Sequence, residues 1–129
     1  MAAFWTDRAA LAALALVLAS GLATPLAAEP MEEKQEAVLQ ALDKVTARVR
    51  TIEAPVGGTV DFGALAVTIR ACRKAPPIEA PEAAAFLEID EIRPGEQSQR
   101  IFDGWMFASS PALSALEHPV YDVWVLDCR

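Results

Sequence analysis

Leu65, Val67, Ile69 and Ala71 alternate with Ala66, Thr68 and Arg70, and the run ends at Cys72. Apolar residues at every second position suit a strand with one buried face, because successive side chains on a strand point to opposite sides. The same period recurs twice. From Phe86 to Ile92, Phe86, Glu88, Asp90 and Ile92 oppose Leu87, Ile89 and Glu91. From Tyr121 to Cys128, Tyr121, Val123 and Val125 oppose Asp122, Trp124 and Leu126. Both faces of this last run are largely apolar, which predicts a central strand buried on both sides.

Turn chemistry separates these runs. Pro55 with Gly57-Gly58, then Gly63, then Pro94-Gly95 interrupt the alternation, and Thr59–Phe62 is a short strand between two of them. Pro76, Pro77 and Pro81 withhold ladder donors, so residues 74–83 read as a loop. Two segments are ambiguous. Ala37 to Glu53 fits a hairpin turning at Asp43-Lys44, and the first part also fits a helix from Met31 to Lys44; the hairpin is preferred. Asp103-Gly104, between apolar residues, reads as a hairpin turn, with one long strand carrying a glycine bulge as the rival. Ser110 and Pro111 open a helical turn reaching Glu117, which His118-Pro119 stops. The expected fold is all-β: a small antiparallel sandwich or partial barrel with one short helical turn and one disulfide.

With 129 residues the chain has room for one domain. Arg8 precedes the unbroken apolar run Ala9 to Ala19, and Gly21, Pro25 and small residues follow. That order predicts a signal peptide over residues 1–28, with cleavage after Ala28 preferred to cleavage after Ala23. A retained membrane anchor is the alternative, and membrane contact is expected only in that case. Residues 29–36 are then a flexible, charged tail, and 37–129 a single β-rich domain. In an exported chain two cysteines predict a bridge between Cys72 and Cys128. One histidine and no C-x-x-C spacing leave too few ligands for a metal site. The net charge of −7 favours solubility and disfavours nucleic acid and anionic membrane surfaces.

Candidate chemistry is sparse. His118 as a base would need Ser109, Ser110 or Ser114 as nucleophile, but all crowd one tight turn without a Gly-x-Ser-x-Gly elbow. A histidine ending a helical turn explains His118 without catalysis. Glu88 and Asp90 share one side of a strand and could serve as acid and base in a small hydrolase or carbohydrate-binding module; alternation alone makes them a solvent face. The aromatic residues Phe102, Trp105, Phe107, Tyr121 and Trp124 gather late in the chain. Trp105, Phe107, Tyr121 and Trp124 are the candidate contacts for a partner, since Trp and Tyr are enriched where one end of a side chain is apolar and the other wet. No catalytic residue, cofactor or metal is assigned.

Four blocks carry a family resemblance: Ala41–Val49 (ALDKVTARV), Phe62–Pro77 (FGALAVTIRACRKAPP), Ala84–Ile89 (AAFLEI) and Phe102–Cys128 (FDGWMFASSPALSALEHPVYDVWVLDC). They resemble an exported alphaproteobacterial family classed as a conserved domain of unknown function. The resemblance implies a periplasmic protein and transfers no catalytic residue. Genes of that family often neighbour one for an accessory subunit of respiratory NADH dehydrogenase, which implies a partner in a respiratory complex. The resulting expectation is a non-enzymatic periplasmic interaction or assembly protein that contacts an unidentified protein partner; the hydrolase-like or carbohydrate-binding module is the alternative.

Overall fold

The computed structural model describes residues 21–25 and 29–129, Glu117 apart, so the predicted signal segment lies almost wholly outside the described residues. The elements in chain order are β1 (Glu32–Glu33), β2 (Glu36–Asp43), β3 (Arg48–Pro55), β4 (Thr59–Phe62), β5 (Leu65–Lys74), β6 (Ala83–Glu91), β7 (Gln99–Phe107) and β8 (Tyr121–Cys128), with one 3-10 turn at Pro111–Leu113. All pairings are antiparallel. One sheet runs β1-β5-β6-β7, with β4 also on β5; the other runs β3-β2-β8. No helix among the described residues is long and apolar enough to cross a membrane.

The two sheets pack face to face as a sandwich, and strand alternation decides which residues meet between them. Leu65, Val67 and Ile69 of β5, Leu87 and Ile89 of β6, and Met106 of β7 form one inner face; Leu39 of β2, Ile52 of β3 and Val123 and Val125 of β8 form the other. Cys72 of β5 and Cys128 of β8 join the sheets at one end through the predicted disulfide, with Cα atoms 5.6 Å apart.

The hairpin from Ala37 to Glu53 forms with Asp43 paired to Arg48. Asp43 Oδ1 accepts the N–H groups of Val45 and Thr46 at 2.9 and 3.1 Å, and Ala47 takes a left-handed conformation to close the turn. A helix over Met31–Lys44 would have left Leu39 and Ala41 without the alternating inner face they occupy.

Four expectations need correction. Asp103-Gly104 is not a turn: Gln99–Phe107 is one strand, paired along its length to β6. The bulge lies at Ile101, unpaired where the register shifts opposite Ile89 and Asp90, rather than at the glycine. Local turn chemistry lost there to a full ladder. β8 is not central but an edge strand paired only to β2; its second apolar face comes from Trp124 and Leu126, which lie outside the core. Residues 29–36 are not a loose tail, because Glu32 and Glu33 pair with Lys74 and Arg73 and the Lys34 N–H donates to the Cys72 carbonyl at 2.8 Å. Finally, the helical turn ends at Leu113, short of Glu117, and the Ser110 side chain does not cap it.

Candidate functional site

The four aromatic residues proposed as a contact do not form one patch. Met106 of β7 faces the core, so Trp105 and Phe107 point outward from the five-stranded sheet. Val123 and Val125 of β8 face the core, so Trp124 points outward from the opposite, three-stranded sheet. There it lines a groove of about 330 Å³ with Pro111, Ala112 and Ala115. Tyr121 turns inward.

The outer face of the five-stranded sheet has an aromatic end and a charged end. Register puts Phe86 opposite Trp105 and Ala84 opposite Phe107. Phe86 and Trp105 meet edge to face, with ring centroids 5.5 Å apart, a geometry favoured by the aromatic quadrupole. The Arg73 guanidinium lies 5.3 Å from the Trp105 ring centroid, within cation–π range. Arg73 is itself the cross-strand partner of Glu33, whose carboxylate stands 3.9 Å from it. Thus β1 helps to hold a cation over the tryptophan.

Toward the other end, Glu88 and Asp90 share this face with Phe86, as alternation predicts. Arg70 reaches Glu88 at 3.0 Å, and Arg100 reaches Glu88 at 3.3 Å and Asp90 at 2.6 Å. The bond that Arg100 Nε donates to Asp90 holds the guanidinium more firmly charged. These two carboxylates, read from sequence as an acid–base pair, are components of an ion-pair ladder that neutralises them. Trp124 and Glu88 lie on opposite outer faces and share no cleft.

The most enclosed polar cluster sits at the end of the sandwich away from the disulfide. His118 Nδ1 accepts the N–H groups of Val120 and Tyr121 at 3.0 and 3.2 Å. Its proton therefore resides on Nε2, which donates to Glu91 Oε2 at 3.1 Å. The His118 and Glu91 side chains are 8% and 12% exposed. Glu91 also accepts from Arg93 Nε at 2.6 Å. The Arg93 bond, opposed by burial and reinforced by the His118 bond, holds the Glu91 carboxyl below its ordinary range. The Tyr121 hydroxyl accepts the Ala64 N–H at 3.1 Å, and its ring packs edge-on against Phe62 with centroids 5.9 Å apart.

This arrangement ties loops to strands. A base needs a free lone pair, and the one in-plane lone pair of the neutral His118 ring, on Nδ1, already faces two backbone donors, while Nε2 carries the proton and donates it to Glu91. Ser109 is engaged elsewhere: its backbone N–H and hydroxyl both bond Glu82. Burial alone would raise the Glu82 carboxyl, but those bonds bring it below its ordinary range. His118 and Ser109 therefore belong to separate local networks.

Phe86 and Arg73 escaped the sequence reading because each joins Trp105 across a strand boundary. The outward parity of Phe86 with Glu88 was the available signal, but without register it could not be joined to Trp105.

A family model described as an uncharacterized protein conserved in bacteria, DUF2155, matches residues 37–128. The chain belongs to this family, and the match covers the sandwich from β2 to β8. An uncharacterized protein of Rickettsia prowazekii (strain Madrid E), RP359, is 32% identical over 88 residues, which cover 68% of this chain and 57% of that protein. The chain thus matches little more than half the length of this relative. No solved structure matches the chain.

Proposed function

We propose that this domain is a non-enzymatic, periplasmic binding or assembly protein, and that the aromatic end of the five-stranded sheet holds its protein partner. The observation that carries the reading is the Phe86–Trp105 pair beneath Arg73, with Phe107 beside it. Tryptophan and arginine dominate binding energy at protein interfaces, where a rigid aromatic surface can be covered with little loss of side-chain freedom. The sheet presents these residues on paired strands rather than on a loop, so their spacing is set before a partner arrives. A partner in a respiratory membrane complex is the reading supported by the family resemblance.

Affinity capture from the native host tests this, comparing the wild type with Trp105→Ala at matched folding. Loss of a co-purifying protein on substitution, at a cost of about 2 kcal/mol or more if Trp105 is a central anchor, is the expected result. An identical set of captured proteins would remove Trp105 from the interface.

A further inference from the structure

We propose that the outer edge of β3 is a docking strand for an extended acidic segment of a partner protein. This surface belongs to the three-stranded sheet and is independent of the aromatic face.

β3 is an edge strand, paired on one side only, to β2. The Val56 N–H donates to the Gln35 carbonyl at 2.8 Å, which fixes the phase of that ladder. Antiparallel pairs alternate between bonded and non-bonded positions, so Val49, Thr51 and Glu53 turn their backbone groups away from β2. All three residues are exposed. A row of such groups is a template for strand addition, in which backbone bonds supply affinity and alternate side chains supply selectivity.

Charge identifies the occupant. Every other lysine and arginine among the described residues lies within 3.9 Å of a carboxylate. Arg48 and Arg50 do not, and both stand on this edge strand, in a chain whose net charge is −7. Asp43, the cross-strand partner of Arg48, uses its Oδ1 to cap the hairpin turn. Arg50 lies on the same side of β3 as Ile52, its guanidinium 6.0 Å from the Phe62 ring centroid. Charged residues facing inward discourage indiscriminate pairing at an edge, because an apolar strand laid there would have to desolvate them. A strand with carboxylates at alternate positions would instead pair with both arginines while completing the ladder.

The test uses a fluorescein-labelled peptide of about eight residues that alternates Glu with Val or Thr, read by fluorescence anisotropy against the whole protein. The acidic peptide should bind, and its Lys-for-Glu counterpart should bind at least about tenfold more weakly. Arg48→Glu/Arg50→Glu should reverse that preference. Thr51→Pro, which removes one outward N–H and leaves both arginines, should weaken the acidic peptide without reversing the preference. Hydrogen exchange should slow at the amides of Val49, Thr51 and Glu53 when the peptide is present. Equal binding of both peptides, absence of binding, or exchange protection that instead follows protein concentration, the mark of a second copy on this edge, would each overturn the proposal.

Discussion

The ends of the sandwich are closed by different means along the same two strands. Near the far end of β5, Cys72 is bonded to Cys128 of β8. At the near end, the start of β8 supplies the Tyr121 hydroxyl to the Ala64 N–H just before β5, and His118 reaches Glu91 at the end of β6. The covalent tie restricts the unfolded chain as well as the folded one, whereas the polar tie exists only after the surrounding backbone is in place. One tie therefore acts on both states of the chain; the other acts on the folded state alone.

Removing the bridge should have the largest effect. Cys128→Ser is expected to cost about 2–5 kcal/mol in urea denaturation, and Cys72→Ser/Cys128→Ser about the same, since a single bond is lost in each. A double variant much less stable than either single one would show that the sulfurs contribute more than their bond.

At the polar end, Gly63→Ala should come next, at about 1–3 kcal/mol. Gly63 has φ of +56°, and a Cβ there would fall on the Tyr121 ring, 2.8 Å from Cε1 and Cζ and against the hydroxyl. Wild-type stability in this variant would mean that Tyr121 can leave its place freely and that the polar end has no exacting fit.

His118→Ala should cost about 1–2 kcal/mol, because it leaves two backbone N–H groups and Glu91 without their ring partner. Partner capture should persist once folding is matched, since His118 lies away from Trp105. Loss of capture at unchanged stability would move function to this end of the molecule.

The smallest effect should be in the acid limb of a stability–pH curve. Glu91 is held below its ordinary value of 4.5 in the folded chain, so its contribution is fully present above that value and is lost as pH falls through the folded one. Glu91→Gln should make the curve shallower below about pH 4.5 and leave its slope at neutral pH unchanged. An unchanged acid limb would assign acid sensitivity to other carboxylates, Asp127 among them. Burial would raise Asp127, but bonds from Lys74 and the Cys128 N–H bring it below its ordinary range.

Alternation made most strands legible, because inward residues such as Leu65, Val67 and Ile69 had to recur at every second position. It also placed Glu88 and Asp90 on one outer face. Register was not legible: whether Asp103-Gly104 turned the chain or continued beside β6 depended on a pairing formed elsewhere in sequence. The same limit separated Phe86 from Trp105. β8 was misjudged because Trp124 and Leu126 satisfy an apolar pattern without entering the core. The part-buried His118–Glu91 bond was likewise hidden, since alternation placed Glu91 on the inner side of β6 but gave no sign that His118, beyond β7, would come back to it.

β2 lies between β3 and β8, and its Glu36 exchanges both backbone bonds with Arg129. As the chain emerges N-terminus first, β3 is available at once, while the other flank of β2 must wait until β8 has emerged. The hairpin can form early, but its sheet cannot be completed from the residues nearest to it in the chain. Such long-range closure slows folding and prolongs the exposure of apolar strands. Cys72 likewise stays an unmatched thiol until Cys128, 56 positions later, has emerged, so strand order sets when the bridge can close.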